Sequence, residues 1–215
     1  MKKENKIIII DDHYLMRDAI VNRINNFDGY KVVASLNNGA ELTEDIMKHN
    51  PDIIILDVSM PKKDGYATSD WLKEKYPECK VLILTMYDSE IVLLRLLQKG
   101  ARGFLKKDVH PKELKNALDA VMEHGFYYSQ DMSGKLVALF FKKENIHLEK
   151  TLLSENEIKF LKLVSTDLTY KEIAEEMNVS PRAIDAYRDS LFIKLDQKSR
   201  VGLAVYSFKN GIVTG

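Results

Sequence analysis

A single cysteine, Cys79, stands among the 215 residues, so no disulfide can form within the chain, which suits a reducing compartment. Its neighbours Glu78 and Lys80 mark it as a structural residue of a loop or strand edge. Backbone breakers are few as well: ten glycines and five prolines exclude a collagen-like or low-complexity chain. No apolar run approaches the roughly 20 residues of a membrane span. Ile7 to Ile10, after a charged start, is also too short for a signal-peptide core, so a cytoplasmic protein with no membrane partner is expected. Net charge is missing too. Lys plus Arg and Asp plus Glu each number 32, so no global field draws the chain to nucleic acid, and any DNA binding has to come from local placement.

What is present is a globular composition, 45% hydrophobic and 30% charged, on a length that favours one medium domain and one small one. From residue 6 to 124 short apolar runs alternate with helical patterns. Strands are predicted at Ile7–Ile10, Tyr30–Leu36, Asp52–Asp57, Lys80–Thr85 and Arg102–Leu105. Helices are predicted through Leu15, Ile20 and Ile24 and over 38–49, 65–75, 88–99 and 111–124. The runs Ile53 to Leu56 and Val81 to Leu84 are apolar at every position, as when helices cover both faces of a parallel sheet. The fold class is therefore α/β, a doubly wound, flavodoxin-like five-stranded parallel sheet over 6–124. Residues 125–148 read as a partly helical linker, with a helix through Leu136, Val137, Leu139 and Phe140 before the polar stretch Lys142 to Lys150. From 149 to 213 a small all-α four-helix domain follows, each helix announced by a cap. Ser154 with Glu157 and Thr169 with Glu172 fit capping boxes, Ser180 precedes Pro181, and Ser199 opens a last helix that ends before Gly211.

Asp11 and Asp12 follow the first strand and Asp57 closes the third, so all three reach the carboxyl edge of the sheet, where doubly wound folds bind ligands. Converging carboxylates repel one another unless a cation neutralises them, and an all-oxygen site with room for water and phosphate suits Mg²⁺. Lys107 and Thr85, after later strands, bring a cation and a hydroxyl to the same edge, suited to phosphoryl oxygens. One such aspartate alone is better read as a strand end or helix cap; the whole set is not. His13, His49, His110, His124 and His147 show no ligand spacing and are expected to be non-metal. No Gly-rich phosphate loop, nucleotide fingerprint or nucleophilic Ser or Cys motif occurs, which speaks against a free-standing enzyme.

The segments Asp11-Asp12-His13, Asp57-Val58-Ser59-Met60-Pro61, Asp64-Gly65, Leu84-Thr85 and Gly103-Phe104-Leu105-Lys106-Lys107 resemble, in order, the receiver domain of response regulators over 6–124. The resemblance implies that Asp57 is the phosphoacceptor, charged by a phosphohistidine on a sensor histidine kinase. It implies that Asp11, Asp12 and Asp57 hold Mg²⁺ with the backbone carbonyl at Val58 or Ser59. It also makes Lys107 the family's lysine, with Lys106 facing solvent, and Thr85 and Phe104 a switch pair. When the Thr85 hydroxyl moves toward the new phosphoryl group, Phe104 turns inward into the space released.

In the second domain, Thr169 to Met177, the tight Asn178-Val179 connection and a helix from Pro181 to Leu195 have the helix-turn-helix pattern. Ile184, Tyr187 or Arg188, Leu191 and Leu195 mark the packed side of the second helix, which turns Arg182, Asp185, Ala186 and Asp189 outward as a major-groove face. Lys171, Arg182, Arg188, Lys194 and Lys198 are candidates for phosphate contacts, and Tyr187 belongs to the same candidate surface. Leu153 to Glu157, Lys171 to Ala174, Ser180 to Ile184 and Lys194-Leu195 resemble a LuxR-type helix-turn-helix over 149–213, and the whole chain resembles the NarL/FixJ group of response regulators. In this chain Ala183 stands where Thr is common, Asp167 where Gly is common and Asp185 where many relatives have Lys. The outward face is less basic for it, and Asp185 can accept from cytosine N4. Related domains pair through the last helix, so Val201, Leu203, Ala204, Val205 and Phe208 form the expected homodimer contact. The function implied is a phosphorylation-dependent transcriptional regulator; the alternative is a phosphorylation-gated protein-interaction module whose helical domain does not bind DNA.

Overall fold

Four consecutive isoleucines cannot alternate between core and solvent, so the strand they form has to be covered on both faces. In a computed structural model, which describes residues 4–86, 90–141, 153–210 and 212–213, Ile7 to Ile10 of β1 (Asn5–Ile10) are all fully buried. β1 pairs with β2 (Tyr30–Leu36) and β3 (Ile53–Asp57), and β4 (Lys80–Thr85) and β5 (Ala101–Lys106) follow, giving one parallel sheet in the order β2-β1-β3-β4-β5. The order reverses between β1 and β3, which opens a crevice at the carboxyl ends of those two strands. The four crossovers carry α1 (Tyr14–Asn25), α2 (Glu44–Met47), α3 (Gly65–Lys75) and α4 (Glu90–Gln98), and α5 (Pro111–His124) follows β5. Ile7, Ile9, Ile53, Ile55, Leu82 and Leu84 share one sheet face with Ile24 of α1 and Leu114, Leu118 and Val121 of α5. Their neighbours Ile8, Ile10, Ile54 and Leu56 are buried as well, on the opposite side by the two-residue period of a strand.

The strands lie within two residues of their predicted bounds, but the helix predicted over 38–49 breaks in two. Asn38 accepts from the Ala40 N–H at 3.0 Å and starts only a 3-10 turn, Gly39–Glu41, after which Leu42 and Thr43 are extended. Thr43 then caps the four-residue α2. Short polar side chains that bond the local backbone compete with helix continuation, and here they win. After α5, Tyr127 bridges to the β5 edge: its N–H donates to Arg102 at 2.9 Å and its carbonyl accepts from Phe104 at 3.3 Å. α6 (Gln130–Phe141) follows. The start of the helix predicted over 88–99, the polar stretch Lys142 to Lys150 and Gly211 lie outside the described residues.

The helices α7 (Glu155–Val164), α8 (Tyr170–Met177), α9 (Pro181–Lys194) and α10 (Arg200–Lys209) form a second compact unit. Both capping boxes are present, Ser180 accepts from the Ala183 N–H at 3.3 Å, and Ser199 accepts from the Gly202 N–H at 3.0 Å. Asn178 adopts the left-handed conformation, φ 54°, that the tight turn between α8 and α9 requires. Phe160, Leu161, Ile173, Ala174, Ile184, Leu191 and Leu203 form the core between the helices. Among the described residues no helix is long and apolar enough to cross a membrane.

Candidate functional site

Asp11 directly follows β1 and Asp57 is the last residue of β3, so the sheet itself brings the two together; both are buried, while Asp12 is exposed. Lys107, just past β5 and also buried, places its Nζ 2.8 Å from Asp57 Oδ2 and 2.8 Å from Asp11 Oδ2. Its neighbour Lys106 is exposed, and Thr85, whose carbonyl accepts from the Lys107 N–H at 3.0 Å, is fully buried. Burial pushes the Asp57 carboxyl up to about 6; Lys107 pulls it back and Asp11 adds to the rise. Burial also works against the Lys107 ammonium, but Asp57 and Asp11 outweigh it and hold Lys107 above the usual lysine value. Asp11 Oδ2, though close to Lys107, is buried without an aligned hydrogen-bond donor. A lone pair left over beside two further carboxylates fits a divalent cation, and Asp11, Asp12, His13 and Asp57 each offer a donor atom within 4.8 Å of the others.

Two residues at this site carried no role in the sequence reading. Arg17 is buried: its Nη1 donates to the Asp11 carbonyl, Nε to Ser35 Oγ at 3.0 Å and Nη2 to Asn37 Oδ1 at 2.9 Å, which fixes the loop that presents Asp11. His13, set aside for want of a histidine partner, has Nδ1 2.9 Å from Asp12 Oδ1 and 3.1 Å from Asp11 Oδ1. Its adjacency to two aspartates was the available signal. Gly65 is required by close approach, because a Cβ there would collide with the Asp57 carbonyl.

Residues 7–119 match the response regulator receiver domain family, and residues 151–207 match the LuxR family of bacterial regulatory proteins. The oxygen regulatory proteins NreC of Staphylococcus haemolyticus and of Staphylococcus carnosus are each 32% identical, over 97% of this chain and 99% of their own. The chain belongs to the two-component response regulators. It carries a LuxR-type DNA-binding helix-turn-helix and is not an enzyme in the usual sense. Among solved structures, RcsB of Salmonella enterica serovar Typhimurium bound to promoter rprA with phosphomimetic BeF₃⁻ is 24% identical, with a TM-score of 0.70 over 95% of this chain and 98% of that one. ChrA of a heme-sensing two-component system is 24% identical, with a TM-score of 0.53 over 98% and 99%. At that identity these two share the fold.

In this response regulator α9 packs Ile184 and Leu191 inward and leaves Arg182, Asp185, Ala186 and Asp189 exposed. Lys171 and Lys198 are exposed as well, while Tyr187 packs against the core with its ring 6.2 Å from that of Phe160. Lys194 is ion-paired, its Nζ 2.7 and 2.8 Å from the two oxygens of buried Glu157. Arg188 donates to Asp185 and Asp189. On α10 Val201, Val205 and Phe208 are exposed and Ala204 is half-buried, but Leu203 is fully buried in the core of its own unit. Leu203 therefore leaves the predicted dimer surface, because helical spacing turns it opposite to Val201 and Val205. Phe104 is buried, with its ring stacked 6.1 Å from that of Tyr128.

Proposed function

We propose that Asp57 accepts a phosphoryl group from a sensor histidine kinase and that this controls DNA binding by the helix-turn-helix. The observation that carries the reading is the buried Asp57–Lys107–Asp11 cluster at the carboxyl edge of the sheet. An Asp57 carboxylate oxygen attacks phosphorus, the P–N bond to the kinase histidine breaks, and the leaving imidazole keeps the electron pair and takes a proton. Lys107 offsets the charge of the transferred group, and Thr85 supplies a hydroxyl toward it, coupled to Phe104. Mg²⁺ would be held by Asp11, Asp12, Asp57 and the backbone carbonyl of Ser59, since the Val58 carbonyl already accepts from the Gly65 N–H at 2.9 Å. The ion supplies charge compensation for phosphoryl transfer.

The receiver occupies 6–124, the linker 125–148 and the DNA-binding domain 149–213, in a cytoplasmic protein. RcsB is described as dimers bound to DNA, and the exposed Val201, Val205 and Phe208, with Ala204, support pairing of this chain as a homodimer on two-fold half-sites. Lys171, Arg182 and Lys198 contact phosphates, and the exposed face of α9 enters the major groove. The test is incubation with acetyl phosphate and Mg²⁺: one acid-labile phosphoryl group is expected per chain, with none on Asp57→Asn, together with a DNA mobility shift that strengthens on phosphorylation. Labelling of Asp57→Asn at the parent rate would assign the acceptor elsewhere.

A further inference from the structure

Asp185 and Asp189 lie one helical turn apart on the exposed side of α9. Two bare carboxylates there would be repelled by the phosphates that line a major groove. Arg188 removes that difficulty. Its Nη1 lies 2.8 Å from Asp185 Oδ1, and its Nε and Nη2 each lie 2.9 Å from Asp189 Oδ1. The guanidinium sits over the Tyr170 ring, 5.8 Å from its centroid, and Tyr170 in turn stacks on buried Phe160 at 6.2 Å. One planar cation is thus seated on an aromatic pair that belongs to the domain core, and its edge grips both aspartates. The Arg188 side chain is 28% exposed, against 57% and 63% for the two aspartates, so the cation lies beneath and the carboxylates project. Both contacts use Oδ1; neither Oδ2 has a hydrogen-bond partner among the described residues.

We infer that Arg188 is a positioning residue that neutralises and orients Asp185 and Asp189, and that these two carboxylates read base amino groups in the major groove. An ionised carboxylate only accepts, and the amino donors of that groove are cytosine N4 and adenine N6. Four residues of helix rise about 6 Å, close to two base steps of about 3.4 Å each. The two amino-bearing bases are therefore separated by one intervening pair. Guanidinium N–H groups spent on the aspartates are withdrawn from phosphate, which separates Arg188 from the exposed Arg182. The inference rests on α9 being the helix that enters DNA.

The experiment selects bound duplexes from a random pool with the full chain, acetyl phosphate and Mg²⁺, then titrates variants against selected and scrambled DNA at several salt concentrations. The selected half-site is expected to fix the identity of two base pairs that flank one intervening pair, each offering one amino group to one aspartate. Asp185→Ala and Asp189→Ala should each relax one of those positions by about tenfold. Arg188→Ala should relax both and, by baring the two carboxylates, weaken scrambled DNA as well, with the larger loss on selected DNA. Arg188→Lys, which keeps the charge but loses the fork, should keep affinity for scrambled DNA and still lose discrimination; its melting curve controls for folding. If Arg188→Ala instead weakens selected and scrambled DNA equally and lowers the salt slope by about one unit, Arg188 is a phosphate contact and the inference is wrong. A selected half-site that fixes no two base pairs flanking a third also overturns it. A parent protein that selects no sequence at all brings down the DNA-binding reading itself.

Discussion

Asp57 in the sheet unit and Glu157 in the helical unit are both buried carboxylates facing a lysine, Lys107 in one and Lys194 in the other. Glu157 is fully served. Lys194 reaches both of its oxygens, Ser190 Oγ donates at 2.9 Å, and the Ser154 N–H and hydroxyl donate at 2.9 and 3.1 Å. Burial alone would raise its carboxyl, yet these donors hold it below the ordinary value. Asp57 receives one lysine and the Val58 N–H at 2.7 Å, faces Asp11, and is pushed up to about 6. A carboxylate whose lost hydration is replaced in full locks helices together. One left short of donors keeps lone pairs for chemistry and a place for added charge, at a cost in stability.

The contrast breaks first at Glu157. Glu157→Ala removes the acceptor shared by Lys194, Ser190 and Ser154, and should destabilise the helical unit by about 2–4 kcal/mol. Far-ultraviolet circular dichroism would record that loss, while fluorescence of Trp71, the single tryptophan, should show the sheet unit melting as before. A variant as stable as the parent would remove Glu157 from its structural role.

Asp57→Asn should act in the opposite direction and more weakly. Without metal at pH 8 it should stabilise the sheet unit by about 1–2 kcal/mol, read from Trp71 fluorescence in urea. The Asp57 carboxyl titrates near 6 when folded and near ~4 when unfolded, so its contribution to stability is complete below the lower value and is lost as pH rises through the upper. The advantage of Asn should therefore fade as pH drops from 7 toward 4. Glu157 carries the opposite sign: its contribution is present above the ordinary carboxylate range and lost as pH falls through its depressed folded value. Acid below the ordinary carboxylate range should loosen the helical unit through Glu157, whereas Asp57 gives the sheet unit no such loss. An Asn variant less stable than the parent at pH 8 would show that Asp57 is satisfied after all.

The smallest effect sharpens the picture within the helical unit. Thr169→Ala removes one hydroxyl from the α8 capping box and should lower stability by about 1 kcal/mol in a chemical melt, with Trp71 unmoved. A loss as large as that of Glu157→Ala would mean that a half-turn of exposed cap matters as much as a buried ion pair.

Much of this was readable in the chain because the relevant forces are local or periodic. Strands apolar at every position fixed a doubly covered parallel sheet, and a parallel sheet carries whatever follows β1, β3, β4 and β5 to one edge, so Asp11, Asp57, Thr85 and Lys107 could be placed together. Capping boxes are legible for the same reason, since both partners lie within four residues. Only the tertiary structure decided the rest. Glu157 reads in the sequence as a cap; its second identity as a buried counter-ion depends on Lys194, 37 residues away. Arg17 reads as a polar helix residue until its guanidinium is found under the Asp11 carbonyl, and Leu203 as surface until α10 is rotated against the core. The apolar and charged pattern determines which elements form and which edge collects the chemistry. Which charges are satisfied and which are held in reserve is set by distances between residues far apart in the chain, and desolvation, which shifts the carboxyls of Asp57 and Glu157, acts only once packing has removed the water.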